Sequence, residues 1–110
     1  LEEIPEVEIP EVQESNLPGR QTRYWVECYF PQSVQRTFAE RPTGTDRDGL
    51  TLSQANLIDQ IMQIPVVVSL ELAVDSITVR IRRGEAADPG RVRRLMQSLA
   101  LESRVYADSA

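Results

Sequence analysis

The stretch Ile64–Arg83, IPVVVSLELAVDSITVRIRR, decides the fold. Val66, Val68, Leu70 and Leu72 alternate with Val67, Ser69, Glu71 and Ala73. Beyond a turn near Val74 to Ser76, Ile77, Val79 and Ile81 alternate with Thr78, Arg80 and Arg82. A period of two marks strands with one packed and one wetter face, because successive side chains point to opposite sides of the pleat. Two such runs across a short turn predict an antiparallel hairpin. Its packed face needs a cover, and its wetter face ends in arginines whose use is the functional question.

The flanking segments supply the cover. Upstream, Thr51 with Gln54 three positions on is a capping-box signature, and Leu57, Ile58, Ile61 and Met62 follow at helical spacing. Pro65 pushes Ile64 out of helical geometry and ends that helix. Downstream, DPGRVRRLMQSL places Asp88 as N-cap, Pro89 at the first helical position, and Val92, Leu95, Met96 and Leu99 on one stripe. Nearer the N-terminus, RYWVECYF (Arg23–Phe30) reads as a strand with Tyr24, Val26, Cys28 and Phe30 on one face and Trp25, Glu27 and Tyr29 on the other. SVQRTFAE (33–40) suits either a strand or a helix, RPTGTDRDG (41–49) reads as a loop, and SRVYA (103–107) could add a last strand. This order predicts an α+β fold, a ferredoxin-like sandwich with an antiparallel sheet and two helices on one face.

Composition removes several chemistries. A chain of 110 residues that is 41% hydrophobic suits one domain with a modest core. No apolar run approaches the roughly 18 residues of a membrane span, and no secretory pattern opens the chain, so a soluble, cytoplasmic protein is expected. Cys28 is the only cysteine, and all 12 basic residues are arginine, with no lysine and no histidine. The usual general base, the usual metal ligand and the Schiff-base amine are therefore missing. Asp46, Asp48 and Gly49 match the middle of a calcium-binding loop, but Gly44 and Ala55 occupy two of its ligand positions, and an Asp-Gly turn before the helix cap accounts for them. Cys28, without a histidine to activate it, reads as a buried structural thiol. The expectation is no catalytic residue, no cofactor and no metal.

Charge is distributed unevenly. The net value is -5, yet residues 1–14 hold six glutamates and no arginine, while residues 76–104 hold seven arginines against Glu85, Asp88 and Glu102. The acidic segment contains EIPEV twice, at Glu3–Val7 and Glu8–Val12, and its prolines favour extended backbone. It reads either as a solvated linker or as a strip that docks on a sheet edge, its own or a partner's, through Ile4, Val7, Ile9 and Val12. The predicted organisation is an acidic tail, disordered or extended, over 1–19, a single α+β domain over 20–107 and a short C-terminal tail over 108–110.

Residues 57–82, and within them Ile64, Pro65, Val67, Ser69, Asp75, Thr78 and Val79, resemble the corresponding stretch of the N-terminal domain of NifU-like iron-sulfur scaffold proteins. Val66 stands where that family usually has glycine, and the Cys-x-x-Cys that holds the cluster lies in a different domain of those scaffolds. The resemblance implies an accessory domain that makes protein contacts, without a metal of its own, and it transfers no binding residue.

Arg80 and Arg82 fall on the wetter strand face with Arg83 beyond, and Arg91, Arg93 and Arg94 fall in the first turns of the last helix, off its apolar stripe. Cations at a helix N-terminus oppose the macrodipole unless an anion is near. Three readings compete for this set: a solvated charged face, an acidic protein partner or the chain's own acidic tail, and a nucleic-acid backbone. Net charge and the lack of an aromatic-interleaved RNA motif weigh against the last. The expectation is a non-catalytic adaptor or accessory module that binds an acidic partner through these six arginines, with a strand edge open to self-association. The alternative is an anion- or nucleic-acid-backbone-binding domain, and the third reading is a small regulatory or catalytic domain.

Overall fold

The computed structural model describes residues 10–82 and 89–104. Its elements are β1 (Val12–Leu17), β2 (Gln21–Glu27), β3 (Arg36–Phe38), α1 (Leu52–Met62), β4 (Val67–Leu72), β5 (Ser76–Arg82) and α2 (Pro89–Glu102). Short 3-10 turns at Gln32–Val34 and Gly44–Arg47 fill the connection around β3. The strands form a five-stranded sheet in the order β1-β2-β5-β4-β3, and every neighbouring pair is antiparallel. The α+β class, the antiparallel sheet and the two helices therefore stand. A ferredoxin-like sheet carries a strand from after the second helix beside its first strand. Here β1, from upstream, holds the place beside β2, so that strand order is not reproduced among the described residues.

The packed side of the sheet follows from the alternation. Tyr24, Val26, Leu70, Leu72, Ile77, Val79 and Ile81 are buried in one cluster with Ile58 and Ile61 of α1 and Val92, Met96 and Leu99 of α2. One stripe on each helix thus covers one sheet face. No helix among the described residues is long and apolar enough to cross a membrane. The strict alternation expected from Val66 to Leu72 is interrupted, because Val67 pairs with Ile81 and the next pair is Ser69 with Arg80. The extra residue is a β-bulge, which brings Val67, expected on the wetter face, into the packed rows, while Leu70 stays packed and Ser69 stays outward beside Arg80.

Local chemistry fixes the helix ends. Gln54 donates its backbone N–H to Thr51 Oγ1 at 3.1 Å, and its Oε1 accepts from Thr51 N at 2.9 Å. The same Gln54 is fully buried and donates through Nε2 to the carbonyl of Glu102 at 3.1 Å, tying the start of α1 to the end of α2. Asp46 accepts from Thr43 N at 3.3 Å, which gives this carboxylate a capping role in its own loop. Arg36 clamps that region by donating to the carbonyls of Ser33, Thr45 and Asp46.

Part of the segment read as an acidic tail belongs to the sheet. Residues 12–17 pair with β2 without interruption, from Val12↔Val26 to Leu17↔Gln21, and Gln97 of α2 donates to the Pro10 carbonyl at 3.1 Å. The strands join through Pro18, Gly19 and Arg20, with Gly19 at φ 79 and Arg20 at φ 58. Val12 packs against the core, whereas Ile4, Val7, Ile9, Arg83, Asp88 and the segment from 105 to 110 lie outside the described residues. Ser103, the start of the suggested last strand, closes the end of α2 by donating its N–H to the Leu99 carbonyl.

Two glycines separate backbone freedom from space. Gly49 has φ 81 and an added Cβ would sit 2.7 Å from Val34 Cγ1, whereas Gly19 has φ 79 and open space around it. Val34 is fully buried and has little room to yield. Gly19→Ala should cost about 1 kcal/mol from left-handed backbone alone, and Gly49→Ala roughly 2–4 kcal/mol once overpacking is added. Urea denaturation of the two variants checks this; equal losses would show that the Val34 contact does not constrain Gly49.

Candidate functional site

On the sheet face away from α1 and α2, the continuous register aligns outward side chains into rows. Gln21 and Arg82 make one row, and Ser15, Arg23, Arg80 and Ser69 make the next. Gln13, Trp25, Thr78, Glu71 and Thr37 make a third. The second row sets two guanidinium groups side by side between two hydroxyls. Directly opposed residues in an antiparallel pair have Cβ atoms about 4.5–5.5 Å apart, and like charges there destabilise the sheet. Arg23 and Arg80 are such a pair, and both are exposed.

Neither forms an ion pair with a carboxylate among the described residues. The ion pairs among the described residues are Arg41–Asp59 at 2.7 Å and Arg93–Glu14 at 3.2 Å. Arg80 Nε donates to Ser69 Oγ at 3.1 Å, which orients the guanidinium without balancing its charge. Arg82 donates to the Pro65 carbonyl at 3.0 Å. A concavity of about 360 Å³ lies over this face, lined by Leu17, Arg23, Thr37, Ser69, Glu71, Thr78 and Arg80. Adjacent guanidinium forks with a hydroxyl beside them suit a carboxylate or phosphate, which accepts paired N–H donors in one plane. Glu71, one row away, makes the concavity positive at one end and negative at the other.

The six arginines singled out in the sequence fall into two layers. Arg80 and Arg82 point from the uncovered sheet face, whereas Arg91, Arg93 and Arg94 belong to α2 on the other side of the sheet. Arg83 lies outside the described residues. The separation follows from geometry, since outward strand residues point away from the helices that cover the opposite face. Arg23, Ser15 and Ser69 join the site instead. Alternation with Tyr24 is the signal that could have turned Arg23 outward, but nothing local in the sequence could pair it with Arg80.

Arg93 has a different task. It bonds Glu14 of β1 through Nη2, its guanidinium carbon lies 5.4 Å from the Tyr24 ring centroid, and its buried Nε has no partner. Burial first, and then the bond to Glu14, raise the Tyr24 phenol pKa above its ordinary value. The acidic N-terminal segment thus meets one arginine of α2, through a contact that holds β1 against the helix. Cys28 is half-buried, and desolvation pushes its thiol up to about 12 despite the opposing hydrogen bond with Ser103.

With the geometry in hand, comparison with protein-family models, curated proteins and solved structures finds no match.

Two outcomes follow from these contacts. An ion pair between half-exposed groups contributes roughly 0.2–1 kcal/mol, and a cation over an aromatic face adds about 0.5–1 kcal/mol. Arg93→Ala should therefore cost about 1 kcal/mol and raise hydrogen exchange selectively in residues 12–17, leaving β4 and β5 protected; uniform exchange across the sheet would rule out this clamp. Separately, native Cys28 should alkylate at pH 8 at least roughly 100-fold more slowly than after unfolding in urea. The folded thiol holds its proton more tightly than the ordinary value of 9.0, so its contribution to stability is intact below about pH 9 and falls as pH rises towards 12.

Proposed function

We propose that this domain is a non-catalytic interaction module, of adaptor or accessory type, that binds an acidic protein segment on its uncovered sheet face. Arg23, Arg80 and Arg82 donate to the partner's carboxylates, and Ser69 and Thr78 supply hydroxyls alongside them. The observation that carries this reading is the Arg23–Arg80 cross-strand pair, a local repulsion that a bound carboxylate would relieve. The resemblance of residues 57–82 to a NifU-like N-terminal domain, read from the sequence alone, implies the same class of function, an accessory domain that makes protein contacts.

A peptide fits this face better than a nucleic acid. Glu27 and Glu71 share the face with the arginines, and the whole chain carries -5. A uniformly charged phosphate backbone would meet those carboxylates, whereas a peptide can set neutral or basic residues against them.

Fluorescence anisotropy with a labelled peptide of alternating glutamate and serine tests the proposal. One charge-assisted contact contributes about 1.5–3 kcal/mol, so Arg80→Glu should weaken binding roughly 10- to 100-fold. The same substitution places a carboxylate opposite Arg23 and should leave the melting temperature unchanged or higher. Binding that survives Arg80→Glu would remove the arginine row from the interface. Tighter binding of a labelled DNA strand, falling steeply with salt, would replace the peptide reading with the phosphate-backbone one.

A further inference from the structure

We infer that a second copy of this chain pairs with the outer edge of β1, joining two sheets across a two-fold axis at Ser15. The inference rests on the strand edge and is independent of what the arginine face binds. The sheet has two outer strands among the described residues, and they differ in the protection they carry. β3 is three residues long, too short to template another strand. β1 is six residues long, pairs with β2 without a bulge, and contains no proline, lysine or arginine. Short length, bulges, proline and basic side chains are features that natural sheets use to block edge pairing, and β1 has none of these; its one charge, Glu14, is on the packed-side row and is already engaged by Arg93 of the same chain.

Charge and face select one register. A two-fold axis perpendicular to the sheet keeps both pairs of helices on the same side, so each residue must oppose one from its own face of the other copy. An axis at Glu14 would set two glutamates against each other. An axis at Ser15 sets serine against serine and Glu14 against Asn16 of the second copy, a carboxylate facing an amide donor. It also brings Glu11, on the approach to β1, alongside the second copy's turn at Gly19 and Arg20. Arg20 is exposed and held at φ 58 in that turn. The acidic start of each strand thereby meets the basic end of the other. Ser15 on the axis also joins the two Ser15–Arg23–Arg80–Ser69 rows end to end across the combined sheet.

The test starts from a chain carrying Cys28→Ala, so that no other thiol is present. Ser15→Cys should give a disulfide-linked dimer on mild oxidation, because the two Cβ atoms oppose each other at the axis. Gln13→Cys, on the same face but displaced along the strand, should not. In sedimentation equilibrium the unmodified chain should show twice the monomer mass. Glu11→Arg and Arg20→Glu should each weaken the dimer at least fivefold, and the two together should restore it. A monomer at every concentration would overturn the inference, as would a dimer that cross-links equally at both positions or ignores the charge exchange.

Discussion

The residue-by-residue pairing of β2 with β5, from Gln21↔Arg82 to Glu27↔Ser76, is the constraint on which the rest depends. It sets Tyr24 and Val26 beside Val79 and Ile77 on the packed side, and in the same stroke sets Arg23 beside Arg80 on the other. A slip of one residue would turn every side chain of a strand to the opposite face, burying arginine and exposing the core. Hydrophobic burial therefore enforces a register that, seen from the uncovered side alone, is electrostatically unfavourable. The repulsion between two solvated guanidiniums is small beside the transfer of several large apolar side chains from water. This difference in scale is why a folded sheet can hold two arginines side by side without an ion pair to either among the described residues.

The packed layer adds long-range ties where local structure is weakest. Gln54 serves the cap of α1 with one end of its amide and the last turn of α2 with the other, so a buried polar group is satisfied twice over. Arg93 links α2 to β1 and β2 through Glu14 and Tyr24. β1 is otherwise a polar strand with most of its side chains in water, and Val12 is its main apolar anchor. Its place in the sheet rests chiefly on backbone hydrogen bonds and this clamp.

The elements from Thr51 to Leu99 were legible because each announces itself locally: a capping box, a proline stop, an alternating pair of runs, and an apolar stripe at helical spacing. Three features were not. The bulge at Val67–Ser69 depends on how β4 must twist to meet Ile81, which no run of valines encodes. The membership of residues 12–17 in the sheet depends on an edge of β2 that lies far along the fold, and the glutamates and prolines before them pointed to solvent. The arginine row needs four strands at once. Arg80 and Arg82 were visible as outward residues, Arg23 only as part of a strand, and their adjacency only through long-range pairing. Arg91, Arg93 and Arg94 drew attention through helix electrostatics, yet they lie in the other layer.

The arginine row also has a constant charge. A guanidinium stays protonated at any pH a cell sustains, and the chain contains no histidine to titrate near neutrality. Acidification of the kind that switches histidine-bearing surfaces finds no histidine here to act on. With no lysine in the sequence, acylation of a side-chain amine cannot erase its charge either. Control over such a surface falls to agents that compete for it or screen it: ionic strength, a rival anion, or new negative charge placed on the hydroxyls of Ser15, Ser69 and Thr78 that flank the row.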